Sequence, residues 1–235
     1  MDISNYWNDI DVRLEKLVKE GSVKLPPLDF FNLSAIAKNI SDDMNGETFS
    51  ELCPSHEAFL QELNLEEHLT PQLYEIARNL LGYKGELANQ YHIARRVEPG
   101  NSKELYRAHF DSHLFTLVLP LKIPMAQKGG SVGDLIYFPN ARGRPKNEAS
   151  NFLGKVYHKK YASKEGLDDF ALKHERITDD FQDHCPLLFM GNTTLHTNKQ
   201  VSSDCSTYRL TLLAHFFDPS PKYGVGGLVR LLRAR

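Results

Sequence analysis

The sequence predicts an α+β protein, an antiparallel sandwich or barrel with helices packed on one side. Two patterns lead there. Through the first third, apolar residues recur at helical spacing; from about residue 87, β-rich runs alternate with turn signals. The composition is that of one soluble globular domain with trimmings: 235 residues, 41% apolar and 25% charged, with 15 Gly and 12 Pro. No internal repeat and no low-complexity segment interrupts it.

Tyr6, Ile10, Leu14 and Leu17 fall at i, i+4, i+8 and i+11 and form one apolar stripe, so a helix is expected there until Gly21 and the Pro26-Pro27 pair end it. Asn32-Leu33-Ser34 is placed to cap a second helix running to about Ile40. Pro54 to Leu63 and Thr70 to Leu81 give two more, the latter with Thr70 as N-cap, Pro71 at the first helical position and Gly82 as its stop. Gln90 to Val97 reads as a strand, followed by a turn at Glu98-Pro99-Gly100-Asn101. Leu105 to Ile123 is expected to hold one or two strands, Val132 to Phe138 another, Leu187 to Met190 a short one and Tyr208 to Phe217 a strong final one. The polar, partly helical stretch 140–183 reads as an insertion. The expected organisation is a single domain: a helical layer over 1–86, a β core over 87–218 carrying the insertion 140–183, and a basic tail over 219–235.

Composition and charge exclude several classes. No apolar run reaches the roughly 20 residues that a membrane helix needs. The start, MDISNYWNDIDVRLEK, is acidic and lacks the apolar stretch of a secretory signal. Cys53, Cys185 and Cys205 are few, odd in number and far apart, which argues against a disulfide framework or a Cys-rich metal site and for a cytoplasmic setting. The net charge of −2 hides an asymmetry: residues 1–70 carry 14 acidic and 5 basic side chains, whereas 141–165 carry seven Lys or Arg against two Glu. That basic stretch serves either charge balance or the attraction of an anionic substrate. A slightly acidic chain with no binding motif is not expected to bind nucleic acid.

The chemistry-bearing residues sit in the β-rich part. In a strand, His109 and Asp111 of His109-Phe110-Asp111 would project to one face and reach one metal ion, a donor pair suited to Fe(II). An isolated His-x-Asp arises by chance in a chain this rich in both residues, so a third ligand is required, and His196 in Gly191-Asn192-Thr193-Thr194-Leu195-His196 is the candidate. Thirteen residues on, Arg209 and Thr211 share one face of the last strand, opposite Tyr208, Leu210 and Leu212. A cation there is costly unless an anion or a polar network meets it. His113 is a rival ligand if the strand runs on; His92, His184 and His215 read as structural or supporting residues, and Glu104 and Asp134 as surface or turn residues.

Together His109, Asp111, His196, Arg209 and Thr211 resemble the pattern of the iron(II)- and 2-oxoglutarate-dependent oxygenases: His-x-Asp, a distal His, then Arg with Ser or Thr two residues later. The match is to the superfamily's phytanoyl-CoA-hydroxylase-like, small-molecule branch and covers roughly residues 87–218. The segment Gly133-Asp134-Leu135-Ile136-Tyr137-Phe138-Pro139 also resembles a strand found between the two parts of the triad. The separation of 85 positions from Asp111 to His196 exceeds that of minimal members, which fits an elaboration at 140–183.

The resemblance implies a double-stranded β-helix (jelly-roll, cupin-like) core with N-terminal helices packed on one sheet. It implies Fe(II) held by His109, Asp111 and His196, with 2-oxoglutarate as cosubstrate held by Arg209 and Thr211, and O2 as oxidant. The implied reaction is hydroxylation of an unactivated C–H with release of succinate and CO2; an intact Asp111 disfavours halogenation. Substrate contacts are expected from Tyr91, Arg95 and Arg96, and from Asn140, Arg142 and Arg144, which favour an anionic small molecule, a sugar acid or a glycan. The apolar, basic end Gly226 to Arg235 is either a short packing helix or a peripheral contact with an anionic membrane, in which case a lipopolysaccharide sugar acid becomes a candidate substrate. Alternatives from other classes are a non-catalytic jelly-roll binding module and a metal-dependent hydrolase or isomerase, the latter leaving Arg209 unexplained.

Overall fold

The computed structural model describes residues 3–51, 53–102, 106–127, 129–145 and 148–219. Glu104, Lys146 and the basic tail from residue 220 onward lie outside them. The helices are α1 (Ile3–Tyr6), α2 (Ile10–Glu20), α3 (Leu33–Asp43), α4 (Pro54–Glu62), α5 (Leu65–His68), α6 (Thr70–Asn79), α7 (Glu148–His158) and α8 (Lys164–Ala171). The strands are β1 (Ser22–Lys24), β2 (Phe49–Ser50), β3 (Gln90–Val97), β4 (Phe115–Lys122), β5 (Leu135–Phe138), β6 (Ile177–Asp179), β7 (Leu187–Phe189), β8 (Leu195–Asn198) and β9 (Arg209–Phe216). They form two antiparallel sheets, one ordered β1-β7-β4-β9-β3-β2 and a smaller one ordered β6-β5-β8. No helix among the described residues is long and apolar enough to cross a membrane.

The large sheet buries both faces, and its two central strands show why. Leu117, Leu119 and Leu121 of β4 and Leu210, Leu212 and Ala214 of β9 face the N-terminal helices, joining Leu17, Ile40, Phe59 and Leu73 in one cluster. Val118 and Leu213 face the other way, against Leu135 and Tyr137 of the small sheet, with Phe181, Leu187 and Phe189 between. Ile136, Phe138 and Leu195 cover the far side of the small sheet and pack on Leu167 and Phe170 of α8. The order is therefore helices, large sheet, small sheet, and α8. Because side chains alternate across a strand, each buried strand carries two different surfaces.

Several local expectations differ from the structure for identifiable reasons. The first helix breaks at residues 7–9, where the Trp7 indole donates to the Leu63 carbonyl (3.0 Å) and ties the break to the next helix layer. Gly21 does end α2, with φ +83° and its N–H on the Leu17 carbonyl. Asn32 does cap α3, accepting from the Ala35 N–H. Thr70, by contrast, is already helical; Leu69 holds the cap position and the Thr70 hydroxyl is buried without a partner. Among the described residues of the stretch, 106–123, only 115–122 is a strand, and His109 makes a lone bridge to His196. Strands β1, β2 and β6 span only two or three residues, too short to carry a period, and exist because a neighbouring strand offers them an edge, β7, β3 and β5 respectively. Insertion residues 148–179 supply α7, α8 and β6.

Leu17 is fully buried between α2 and the large sheet's helix-facing surface. Leu17→Ala should cost about 2–5 kcal/mol, the range for emptying such a site. At this chain length that lowers the midpoint of a thermal scan by roughly 4–20 °C.

Candidate metal centre

His109 and His196 are brought together by backbone. Each donates its N–H to the other's carbonyl at 3.0 Å, and their rings lie 4.4 Å apart. Asp111, two residues on, is fixed by its own N–H to the Gly191 carbonyl (3.0 Å). The three side chains offer ligand atoms that all lie within 4.8 Å of one another, and no other such group occurs among the described residues. The Asp111 Oδ1 lies 3.7 Å from Nε2 of both His109 and His196. Metal–ligand bonds of roughly 2.0–2.2 Å to one ion place ligand atoms about 3–4 Å apart.

The histidine tautomers fit a metal as well. His109 Nδ1 lies 2.8 Å from the Arg107 carbonyl and His196 Nδ1 lies 3.2 Å from the Thr194 carbonyl. A carbonyl only accepts, so each Nδ1 carries the proton and each Nε2 turns a lone pair toward Asp111. Two imidazole nitrogens and one carboxylate suit a borderline divalent ion and leave part of its coordination sphere to other ligands.

Electrostatics favours the same charge state. Enclosure by the pocket walls, and then His196, push the His109 pKa down to about 4 against the pull of Asp111, although solvent still reaches the ring (55% exposed). Burial alone would raise Asp111, but His196, His215 and His109 and the Thr116 hydroxyl together hold its carboxyl well below the usual range. At neutral pH the site thus presents a neutral His109 imidazole and an ionised Asp111 carboxylate, the forms in which these two groups can ligate a metal.

The inner face of the large sheet supplies a second feature. In the antiparallel register Tyr91 stands opposite His215, Ile93 opposite Leu213, Arg95 opposite Thr211 and Val97 opposite Arg209, all on the face turned toward the small sheet. Arg209 is buried (4% exposed), and among the described residues no carboxylate is in ion-pair contact with it. Its Nε has no hydrogen-bond partner. Burial, then the charge of Arg95, push its pKa down to about 10. Its guanidinium lies 5.4 Å from the Phe181 ring. Room for its stem comes from Gly133: a Cβ there would stand 3.1 Å from Nη1 and 3.2 Å from Cδ.

The remaining sequence candidates are dispersed. Tyr91 faces inward and its hydroxyl donates to Glu51. Arg96, on the opposite face of β3, leaves the pocket: it donates to Ser41 (2.9 Å) and Glu98 (2.6 Å) and lies over Tyr208. Arg142 acts as a strut, donating to the Asn192 carbonyl (2.8 Å) and Asn151 (2.7 Å) with its plane 3.9 Å over Phe110. Arg144 donates to the Leu80 carbonyl, and Asn140 takes a positive φ beside Gly21. His113 lies in a bend, not a strand, and stacks on Tyr91 and His215 instead of joining the ligand group. His92 packs edge-on against Phe216, and His184 sits against the Pro120 carbonyl. Asp134 is not a free turn residue but pairs with Lys199 at 2.8 Å. Thr116, which belongs to no motif, escapes sequence reading, and Gly191 reads only as part of the run leading to His196, without its contact with Asp111.

No protein-family model matches the chain, and no curated protein matches it in sequence. Solved structures do match in fold. A prolyl-4-hydroxylase from Pseudomonas putida superposes with a TM-score of 0.52 at 12% identity, over 88% of this chain and 97% of that one. Prolyl 4-hydroxylases from Phytophthora capsici give 0.56 at 14% identity, over 99% and 73%. HygX from Streptomyces hygroscopicus, solved with iron bound, gives 0.52 at 11% identity, over 87% and 86%.

A buried cation without an anion destabilises a fold. Arg209→Met in the purified, ligand-free protein should therefore leave the thermal midpoint unchanged or raise it. A midpoint several degrees lower would make Arg209 a structural tie rather than an anion receptor.

Proposed function

We propose that this protein is an Fe(II)- and 2-oxoglutarate-dependent dioxygenase that hydroxylates an unactivated C–H of an anionic small molecule or sugar acid. The observation that carries this reading is the pairing of a convergent His109–Asp111–His196 group with a buried Arg209 that has no carboxylate in contact among the described residues, Arg95 being felt at both His109 and Arg209. The fold likeness to prolyl hydroxylases and to HygX, solved also with nickel and 2-oxoglutarate, supports it at the level of the superfamily rather than of the phytanoyl-CoA-hydroxylase-like branch. The two facing antiparallel sheets are read as a double-stranded β-helix, and the chain as a single domain.

Bound at this centre, iron with 2-oxoglutarate supplies the oxidation: O2 is consumed, 2-oxoglutarate loses CO2 to become succinate, and the substrate gains a hydroxyl. The chain's own part is positional. His109, Asp111 and His196 present three donors from one side, so that the cosubstrate and O2 approach from the other. Arg209 offers a planar fork to the distal carboxylate of 2-oxoglutarate, and Thr211, on the same face of β9, adds a hydroxyl. Val118, Leu187, Phe189 and Leu213 pack in one apolar cluster on the same face of the large sheet as Arg209 and Thr211. Arg95, directly across from Thr211, places a second cation on the pocket face, and its charge is felt at both His109 and Arg209. That field favours a substrate with an acidic group. Tyr91, farther along the same face, is placed to line the substrate's side of the pocket. Arg142 and Arg144 remain candidates only for the rim.

The deciding experiment is succinate release from 2-oxoglutarate with iron and ascorbate, run across a panel of anionic and neutral substrates. His196→Ala should abolish release. Arg209→Met should retain iron yet require roughly two to four decades more 2-oxoglutarate, the equivalent of losing a charge-assisted pair worth about 3–5 kcal/mol. Iron-independent turnover, or an unchanged 2-oxoglutarate requirement, would refute the reading.

A further inference from the structure

Asp111 is held on two sides. Its Oδ1 faces the two Nε2 atoms, while its Oδ2 accepts a 2.6 Å hydrogen bond from the Thr116 hydroxyl. The Thr116 Oγ1 in turn lies 3.1 Å from Nδ1 of His215. Thr116 has one hydroxyl proton, and it goes to Asp111; His215 Nδ1 therefore carries its own proton and donates to Oγ1. The result is a directed chain, His215 Nδ1–H to Thr116 Oγ1–H to Asp111 Oδ2. Thr116 is 1% exposed and His215 7% exposed, so water does not compete for these bonds.

The surroundings are built for this arrangement. Thr116 and His215 are register partners on β4 and β9, so the two strands deliver them side by side. The His215 ring packs against both Tyr91 and His113, at centroid distances of 6.0 and 5.0 Å, and those two rings also stack on each other at 6.0 Å, a three-ring cluster that holds its plane. Gly191 leaves the space: a Cβ there would lie 2.8 Å from Thr116 Oγ1, 2.9 Å from the His113 carbonyl and 3.0 Å from Asp111 Cβ. Any larger residue would push the hydroxyl and the carboxylate apart.

We propose that Thr116 and His215 are positioning residues that occupy Asp111 Oδ2 and so hold this carboxylate to one-oxygen ligation of the metal. The inference rests on the metal-centre reading above and adds two residues to it. A carboxylate free to rotate would offer both oxygens to the ion and take up a position that the cosubstrate or O2 needs. With Oδ2 committed to a hydroxyl, only Oδ1 is available, and its direction is set before metal arrives.

The test is metal titration of the purified full chain: Fe(II) without oxygen, and Co(II) as a spectroscopic probe. Thr116→Val keeps the shape and removes the hydroxyl; Thr116→Ser keeps the hydroxyl. His215→Leu removes the donor, whereas His215→Asn keeps an N–H donor near the place of Nδ1. Thr116→Val and His215→Leu should weaken metal binding about 10–100-fold and change the visible Co(II) spectrum, while Thr116→Ser and His215→Asn stay near the parent. Thermal scans of the metal-free variants identify any that fail to fold, and the remaining pair then decides. Parent-like affinity and spectrum in a folded Thr116→Val or His215→Leu protein would overturn the inference. So would a Ser or Asn variant as weak as its apolar counterpart, since packing rather than hydrogen bonding would then be responsible. A parent that binds neither ion removes the metal centre itself and this inference with it, an outcome distinct from parent binding with indifferent variants.

Discussion

Strand β9 pairs with β3 on one side and β4 on the other, and the register of those two ladders decides where Tyr91, Arg95, Thr116, Arg209, Thr211 and His215 point. In the observed register Arg209, Thr211, Leu213 and His215 face the small sheet, and Leu210, Leu212, Ala214 and Phe216 face the helices. Because the side-chain period is two, a slip of one residue would exchange the sets. A guanidinium and an imidazole would then enter the helix-packed core, and leucines would line the pocket. The apolar helix layer thus does more than stabilise the fold: it selects the register that exposes polar groups to the cavity. The same ladder brings Thr116 beside His215 and Arg95 beside Thr211.

Two buried ionisable groups, Asp111 and Arg209, are treated in opposite ways. Asp111 is surrounded by partners: three imidazoles, one hydroxyl and a backbone carbonyl holding its own N–H. Arg209 has no carboxylate in contact among the described residues, the nearby acids being engaged elsewhere, Asp134 with Lys199 and Asp179 with Lys24. On the function proposed above, the first would hold a cation and the second an anion. A fold that keeps an uncompensated cation indoors gives up stability at that point, and the apolar clusters on either side of the large sheet offset the loss.

Much of this was legible in the chain alone, where the information is local. The bounds of β3 follow from its composition and flanking turns, and the caps at Gly21 and Asn32 follow from φ tolerance and a side-chain acceptor. The common face of Arg209 and Thr211 follows from period two. His109 and Asp111 were also read as neighbours on a strand, and here the pairing arises differently, from a lone bridge at His109 and an anchored N–H at Asp111. The two-residue spacing still brings them together because extended backbone, paired or not, alternates its side chains.

What the sequence determined by itself was periodicity, capping and the phase of residues within one segment, since those depend on backbone geometry over a few bonds. Tertiary structure alone decided which face met which neighbour. It turned Arg96 toward Ser41 and away from the pocket, committed Arg142 to Asn151 and the Asn192 carbonyl, and carried His113 off to stack on Tyr91. It also recruited Thr116, His215 and Gly191 to Asp111. Contacts such as Arg96–Ser41, Arg142–Asn192, Asp111–Gly191 and Thr116–His215, between segments 50 to 99 residues apart, are set by strand register and close packing, and no local pattern in the chain encodes those.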